Sequence, residues 1–386
     1  MPSIAIGTDG SIHAAFKQGS TVNLEVNDAV YTSSSDGGTT WSALQTIYQT
    51  SDTFVVDKVE IAVDASGVVH AAWVERDPNA QTYELFYASR SNNAWSNPQS
   101  LDTSFIFTIR QPSLIEAGGQ IYLAWVSGAD DKIRFATRTS AGWSSLVEVD
   151  DGPSQLPELA LDDQGNVHIA FLKSTASDTE GLRYSQSSDG GSTWAPDILL
   201  SEDNILDVKS VDIVVENSRA HVVYGASLVV GSPTAPVASG QISRPYLRTC
   251  TTSCTTLSSW SDEALINSFD VQNPPADAPI VHSSTMAEGD DLLVFFHGTL
   301  PENTNFEQVL GHCIIGGENL GKEFKLPTTF ERRMVKPQIA YNDGFMYIVY
   351  EQVIGQSVND VQLQEVHYAQ LDVSCHDMHL PIIAVN

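Results

Sequence analysis

Carboxylates dominate the residues able to do chemistry. Glu60, Glu158 and Asp212 stand at one place in a repeated apolar segment, just before its first Ile or Leu. Gathered in that register they would hold a divalent cation such as calcium, or accept sugar hydroxyls. The plainer reading is a solvated channel lining, or carboxylates satisfied by neighbouring backbone N–H groups. Glu75, Arg76, Asp130, Asp131 and Glu351 form a second set, together with Lys173 and His297, after the aromatic residue that closes the segment. Arg110 opens Arg110-Gln111-Pro112 at the start of another segment, where a guanidinium would clamp a ligand carboxylate. His13, His70, His168 and His221 repeat a single position. A catalytic residue breaks the symmetry of a repeat, so these histidines are expected to pack the fold, hydrogen-bonded to neighbouring backbone. No catalytic set is assembled.

The four cysteines allow two chemistries. Cys250 and Cys254 would staple a short turn, with Cys313 and Cys375 pairing elsewhere. The rival is a zinc site drawn from His312, Cys313, Cys375, His376 and His379. Composition favours disulfides and an oxidising compartment, because the count is even and the chain is Ser/Thr-rich and lysine-poor. No secretory leader is visible at Met1-Pro2-Ser3, so the chain is either cytosolic or begins where a leader was removed. Secretion or cell-surface display is the reading preferred.

Charge narrows the partners. Lys plus Arg total 19 against 48 Asp plus Glu, a net charge of −29, yet charged residues are only 17% of the 386. A chain this acidic, without a basic stripe, repels phosphate backbones and anionic lipid heads, which argues against nucleic acid. No apolar run approaches the roughly 18 residues that would enter a membrane. The 42% hydrophobic content is ample for a large core.

The elements that must position these groups recur about every 50 residues, the period of a propeller blade. An apolar strand, a Gly/Asp/Asn turn and a second strand ending in an aromatic appear seven times, closing at Phe16, Trp73, Trp125, Phe171, Tyr224, Phe296 and Tyr350. Repeats begin near residues 3, 60, 113, 158, 212, 279 and 338. Asp-Gly and Ser-Gly turns supply the positive φ of a tight hairpin. A third strand, a polar turn ending in Trp and a fourth strand complete each unit. One such sheet cannot bury both faces alone, whereas stacked units can. The expectation is a single all-β domain over 1–386, a seven-bladed β-propeller of four-stranded antiparallel blades. The long insertion 225–243 would lie on the face of the second-strand ends.

Two third-to-fourth turns match closely: Ser34-Ser-Asp36-Gly-Gly38-Thr-Thr-Trp41 and Ser187-Ser-Asp189-Gly-Gly191-Ser-Thr-Trp194. The Asp carboxylate would accept N–H bonds within the turn, Gly would relieve the backbone, and Trp would fold into the blade core. Ser89 to Trp95 and Thr137 to Trp143 are shorter, eroded copies. These octets resemble the Asp-boxes, or bacterial neuraminidase repeats, of the sialidase superfamily of β-propellers. The resemblance implies structural turns on the face away from any ligand site. It also implies an arginine clamp, a Tyr-Glu nucleophile pair and an Asp acid where the protein is a sialidase. Arg110-Gln111-Pro112 departs from that family's Arg-Ile-Pro, opens the third repeat and lacks a second arginine after Trp125. The reading is therefore a non-catalytic module that binds carbohydrate or protein opposite the octets. An exo-α-sialidase-type hydrolase and then a polysaccharide lyase are the alternatives.

Overall fold

The computed structural model describes all residues except 1, 20–26, 51–53, 78, 105–109, 129, 175–179, 202–204, 217, 229–241, 267–279, 287–290, 301–302, 316–318, 326–333, 343, 354–363, 373–382 and 386. The described residues form β-strands, with one short 3-10 turn at Leu257–Ser259. Among them, no helix is long and apolar enough to cross a membrane.

Each repeat folds as the spacing predicts, into successive antiparallel strands. The strands Ser3–Ile6 and Ile12–Gly19 pair across the Asp9-Gly10 turn, where Gly10 has φ +79°. Val55–Val63 and Val69–Asp77 pair across Ser66-Gly67, where Gly67 has φ +78°. Among the described residues the strands assemble into six hydrogen-bonded sheets rather than seven separate blades. The first two repeats share one nine-stranded sheet, joined by a single parallel pair, Asn27 opposite Val55. The other sheets follow the four-stranded antiparallel path of a propeller blade. Several first strands begin earlier than the apolar pattern indicated, at Val55, Arg110, Ile205 and Met334. In three of these, register shifts fall at Val56/Val59, Arg110/Ser113 and Val208/Ser210, so the strand continues outward through a bulge.

The chain divides into two compact units, one of Met1–Leu159, Ala340–Leu371 and Pro381–Asn386, the other of Ala160–Ile339 and Asp372–Leu380. In both units the closing aromatics fill the core. Trp73 and Trp125 are fully buried in the first, as are Phe171 and Tyr224 in the second. Burying one such ring contributes about 2–3 kcal/mol.

A tyrosine on a third strand meets the tryptophan of a neighbouring repeat's turn edge to face. In the first unit these pairs are Tyr31 with Trp95 at 5.5 Å, Tyr87 with Trp143 at 5.0 Å and Tyr368 with Trp41 at 5.1 Å. In the second, Tyr184 meets Trp260 at 4.8 Å. The octet tryptophan Trp41 was expected in its own blade core. It lies instead against Tyr368, Tyr347 and Val349 of the last repeat. The reason is that the turn's own backbone holds the indole at the sheet edge, where Trp41 Nε1 donates to the Gly38 carbonyl at 3.1 Å.

Both octets carry the same hydrogen bonds. Ser34 Oγ accepts from Gly38 N at 2.8 Å and donates to Asp36 Oδ1 at 2.8 Å, and Asp36 accepts from Thr40 N and Thr40 Oγ1 at 2.8 and 2.6 Å. Ser187, Asp189, Gly191 and Thr193 repeat that pattern at 2.8, 2.7, 2.8 and 2.6 Å. The hydroxyl and N–H donors of Thr40 and Thr193 pull both aspartates down to about 2. Gly38 has φ +85°, and a Cβ there would stand 2.2 Å from the Tyr368 ring. Where the fifth repeat lacks an octet, Cys250 and Cys254 are disulfide-bonded across the turn, and Trp260 Nε1 donates to the Cys254 carbonyl at 2.9 Å. Cys375, His376 and His379 lie outside the described residues. Among the described residues no cysteine is free and no cluster of metal-ligating side chains forms.

Candidate functional site

The bulges re-aim charged side chains near the start of the first strands. In the first unit, Lys58 lies within the Val56/Val59 bulge and points its ammonium at two of the predicted carboxylates, 3.0 Å from Glu60 and 3.7 Å from Glu158. Ser3 Oγ donates to Glu60 at 3.1 Å and accepts from Ile61 N at 3.1 Å, and Ser113 Oγ accepts from Leu159 N at 3.0 Å. Glu60 and Glu158 thus share the chain's own cation, Lys58, which offsets one of their two charges. Asp212, in the second unit, is half-buried and accepts from its neighbour Ile213 N at 2.9 Å.

Arg110 opens its strand opposite Val126, at the register shift. Gln111, just before Pro112, adopts φ +52°, and Leu156 before Pro157 adopts φ +51°. The Arg-Gln-Pro segment therefore shares a backbone kink with another repeat, and the Arg110 side chain lies outside the described residues.

The second-strand ends carry the rest. Arg76 faces Asp57 at 3.5 Å. Asp130 binds Arg134 at 2.8 Å, and Arg134 also reaches Glu148 at 3.1 Å. Asp131 is a turn residue with φ +54°, its N–H bonded to the Ser127 carbonyl at 3.1 Å. Lys173 and Arg183 share Asp197 at 2.8 and 3.5 Å. Arg90 and Arg138 lie over the Tyr31 and Tyr87 rings at 4.8 and 4.9 Å. Arg248 donates to the Ser261 carbonyl at 3.2 Å. Glu351 is buried at the end of the last central strand. The side chain of His297 and the insertion beyond Leu228 lie outside the described residues.

Glu75 is the predicted carboxylate whose burial shifts its titration. It sits at the end of Val69–Asp77, directly opposite Glu84 on Thr82–Ser91, and is only 6% exposed. Burial raises its pKa; the Tyr48 hydroxyl, hydrogen-bonded to it, opposes that rise, while Glu84 and Asp77 add to it. The Tyr48 ring stacks on Phe86 at 5.4 Å and meets Trp73 at 5.5 Å. Burial and the neighbouring Glu75 charge push the Tyr48 hydroxyl well above its ordinary range. Tyr48 and Glu84 escaped the sequence reading: Tyr48 belongs to an outer strand of the first repeat and meets Glu75 only across the packed face. The alternation of Glu84 with Leu85 was the one available signal.

The histidines were placed correctly and partnered wrongly. His13, His70 and His168 each hold Nδ1 2.6 Å from a tyrosine hydroxyl, of Tyr31, Tyr87 and Tyr184, rather than meeting backbone. Their Nε2 atoms meet Ser11 at 2.7 Å, Asp64 at 3.3 Å and Asp162 at 3.4 Å. The adjacent third strand presents its Tyr at the same height, so a side-chain hydroxyl reaches the ring first. Burial lowers all three pKa values, that of His13 to about 4. The threefold recurrence marks these His–Tyr contacts as packing.

No family model matches this sequence, and no curated protein does. Among solved structures it is similar to the polysaccharide lyase Uly1, with TM-score 0.58 and 10% identity over 100% of this chain and 90% of that one. It is also similar to a protein of unknown function from Dyadobacter fermentans, with TM-score 0.53 and 14% identity over 81% and 93%. The α-L-arabinofuranosidase Arb93A from Fusarium graminearum gives TM-score 0.51 and 14% identity over 81% and 92%. At these identities the likeness shows the fold, an all-β propeller with four-stranded antiparallel blades.

Proposed function

We propose that this chain is an exported, seven-repeat propeller of the Asp-box type that recognises glycan, without chemistry of its own, on the face of its second-strand ends. The state of the arginines carries this reading. A sialidase-type clamp needs several guanidiniums free to meet one carboxylate. Here Arg76, Arg134 and Arg183 are each paired to a carboxylate, while Arg90 and Arg138 lie on tyrosine rings. The fold shared with a polysaccharide lyase and an α-L-arabinofuranosidase supports a carbohydrate over other ligands. The net charge of −29 supports neutral or cationic partners over polyanions. A glycan array run beside a hydrolase and lyase panel tests the reading. Selective retention of a glycan without turnover is expected; no retention by any glycan would remove it.

One observation favours a second reading, a glycoside hydrolase. Glu75, whose pKa burial raises, faces Glu84, and two facing carboxyl groups are what glycoside cleavage uses. Turnover in the panel, abolished in Glu75→Gln, would move the assignment there.

A further inference from the structure

Two buried polar atoms on one face of the Val69–Asp77 strand have no hydrogen-bond partner among the described residues: Trp73 Nε1 and Glu75 Oε2. The two residues are next-but-one neighbours and therefore point to the same side of the sheet. Both touch Tyr48, Trp73 through its ring and Glu75 through the tyrosine hydroxyl. Trp73 is fully buried and Glu75 is 6% exposed. Leaving an indole N–H and a carboxyl oxygen unsatisfied inside the fold is unfavourable, and native structures almost always supply a partner.

The two atoms ask for one kind of partner. The indole N–H only donates. The carboxyl oxygen accepts. A hydroxyl satisfies both at once, by accepting from Trp73 and donating to Glu75. A carbonyl or an anion would serve the indole but leave Glu75 unmet, and a cation would be repelled by the indole proton. We propose that a hydroxyl group occupies this point beside Tyr48, bridging Trp73 Nε1–H and Glu75 Oε2. Two sources supply that chemistry, an ordered water and a hydroxyl of a bound sugar. The second source rests on the glycan-binding reading above, while the hydroxyl site itself does not.

The chain has seven tryptophans, so an indole ¹H–¹⁵N spectrum shows seven cross-peaks. Trp73→Phe identifies the Trp73 peak by its loss; where that core variant does not fold, replacing the other six tryptophans one at a time identifies it by elimination. The expected result is a water or saccharide-hydroxyl cross-relaxation signal at the Trp73 indole proton, together with a shift of that peak in Glu75→Gln. A peak unmoved by a soluble oligosaccharide mixture and in contact with water assigns ordered water. A peak that moves with the mixture and loses its water contact assigns the sugar. An indole proton with no hydroxyl contact under either condition, or one bonded directly to Glu75, would overturn the proposal. Glycan retention on the array with no hydroxyl at Trp73 would sink this site alone and leave the glycan-binding reading standing.

Discussion

Acidification should destabilise this fold well above the range where carboxylates titrate, and His13 sets the size of the effect. His13 is 7% exposed and held between Ser11 and Tyr31, and burial lowers its pKa from 6.5 to about 4. Its folded pKa lies below its unfolded one. The neutral ring therefore contributes stability that is present above pH 6.5 and is lost as pH falls towards 4. The full difference corresponds to about 3 kcal/mol, of which about 2 kcal/mol is lost between pH 7 and pH 5. His312, also lowered to about 4 by burial, adds a similar loss. Asp36 and Asp189 have depressed pKa values, so their contribution survives down to about 3.8 and is silent in this window. Glu75 acts in the opposite sense: its raised pKa makes the folded state take up a proton first, which offsets part of the loss. Urea unfolding at pH 7 and pH 5 measures the sum. His13→Asn keeps a polar group near the Nδ1 position and does not titrate, so its drop should be smaller than wild type by about 2 kcal/mol. Equal drops in the two proteins would refute the argument that His13 is buried neutral.

The remaining predictions concern the turns. Gly38→Ala should cost about 2–4 kcal/mol, because it combines the left-handed backbone with a collision against Tyr368; Gly37→Ala, at φ +68° with its nearest neighbour 3.8 Å away, should cost about 1–2 kcal/mol. Thermal melts of the two variants check the ranking, and equal losses would deny the close approach. Replacing Cys250 and Cys254 together by serine should cost about 2 kcal/mol, the loop-closure value for so short a bridge, measured by urea unfolding.

Much of the fold was legible because its signals are short-range. A Gly at positive φ, a Ser-x-Asp-x-Gly-x-Thr-Trp octet and a buried closing aromatic each declare themselves within a dozen residues. The disulfide turn was legible for the same reason, since Cys250 and Cys254 stand where the octet is missing. Joining of the first two repeats was not, because the Asn27–Val55 bridge depends on how two sheets meet. Bulges were also hidden: Asp57-Lys58 reads as ordinary strand, yet its displacement puts Lys58 onto Glu60 and Glu158. The tryptophans show the boundary well. Trp41 and Trp260 have a turn carbonyl within reach. In the eroded turns the Nε1 atoms of Trp95 and Trp143 have no partner among the described residues. The sequence pattern places all four indoles at turns and cannot say which neighbouring tyrosine each will meet.

Glycan binding opposite the octet turns is the central claim, and calorimetric titration of the best-retained glycan tests it most directly. The account predicts a saturable heat for wild type, weakened in Arg76→Ala at a second-strand end and unchanged in Leu44→Ser beside the first octet. A heat lost in Leu44→Ser and kept in Arg76→Ala would place the ligand on the wrong face, and no heat with any retained glycan would contradict the claim itself.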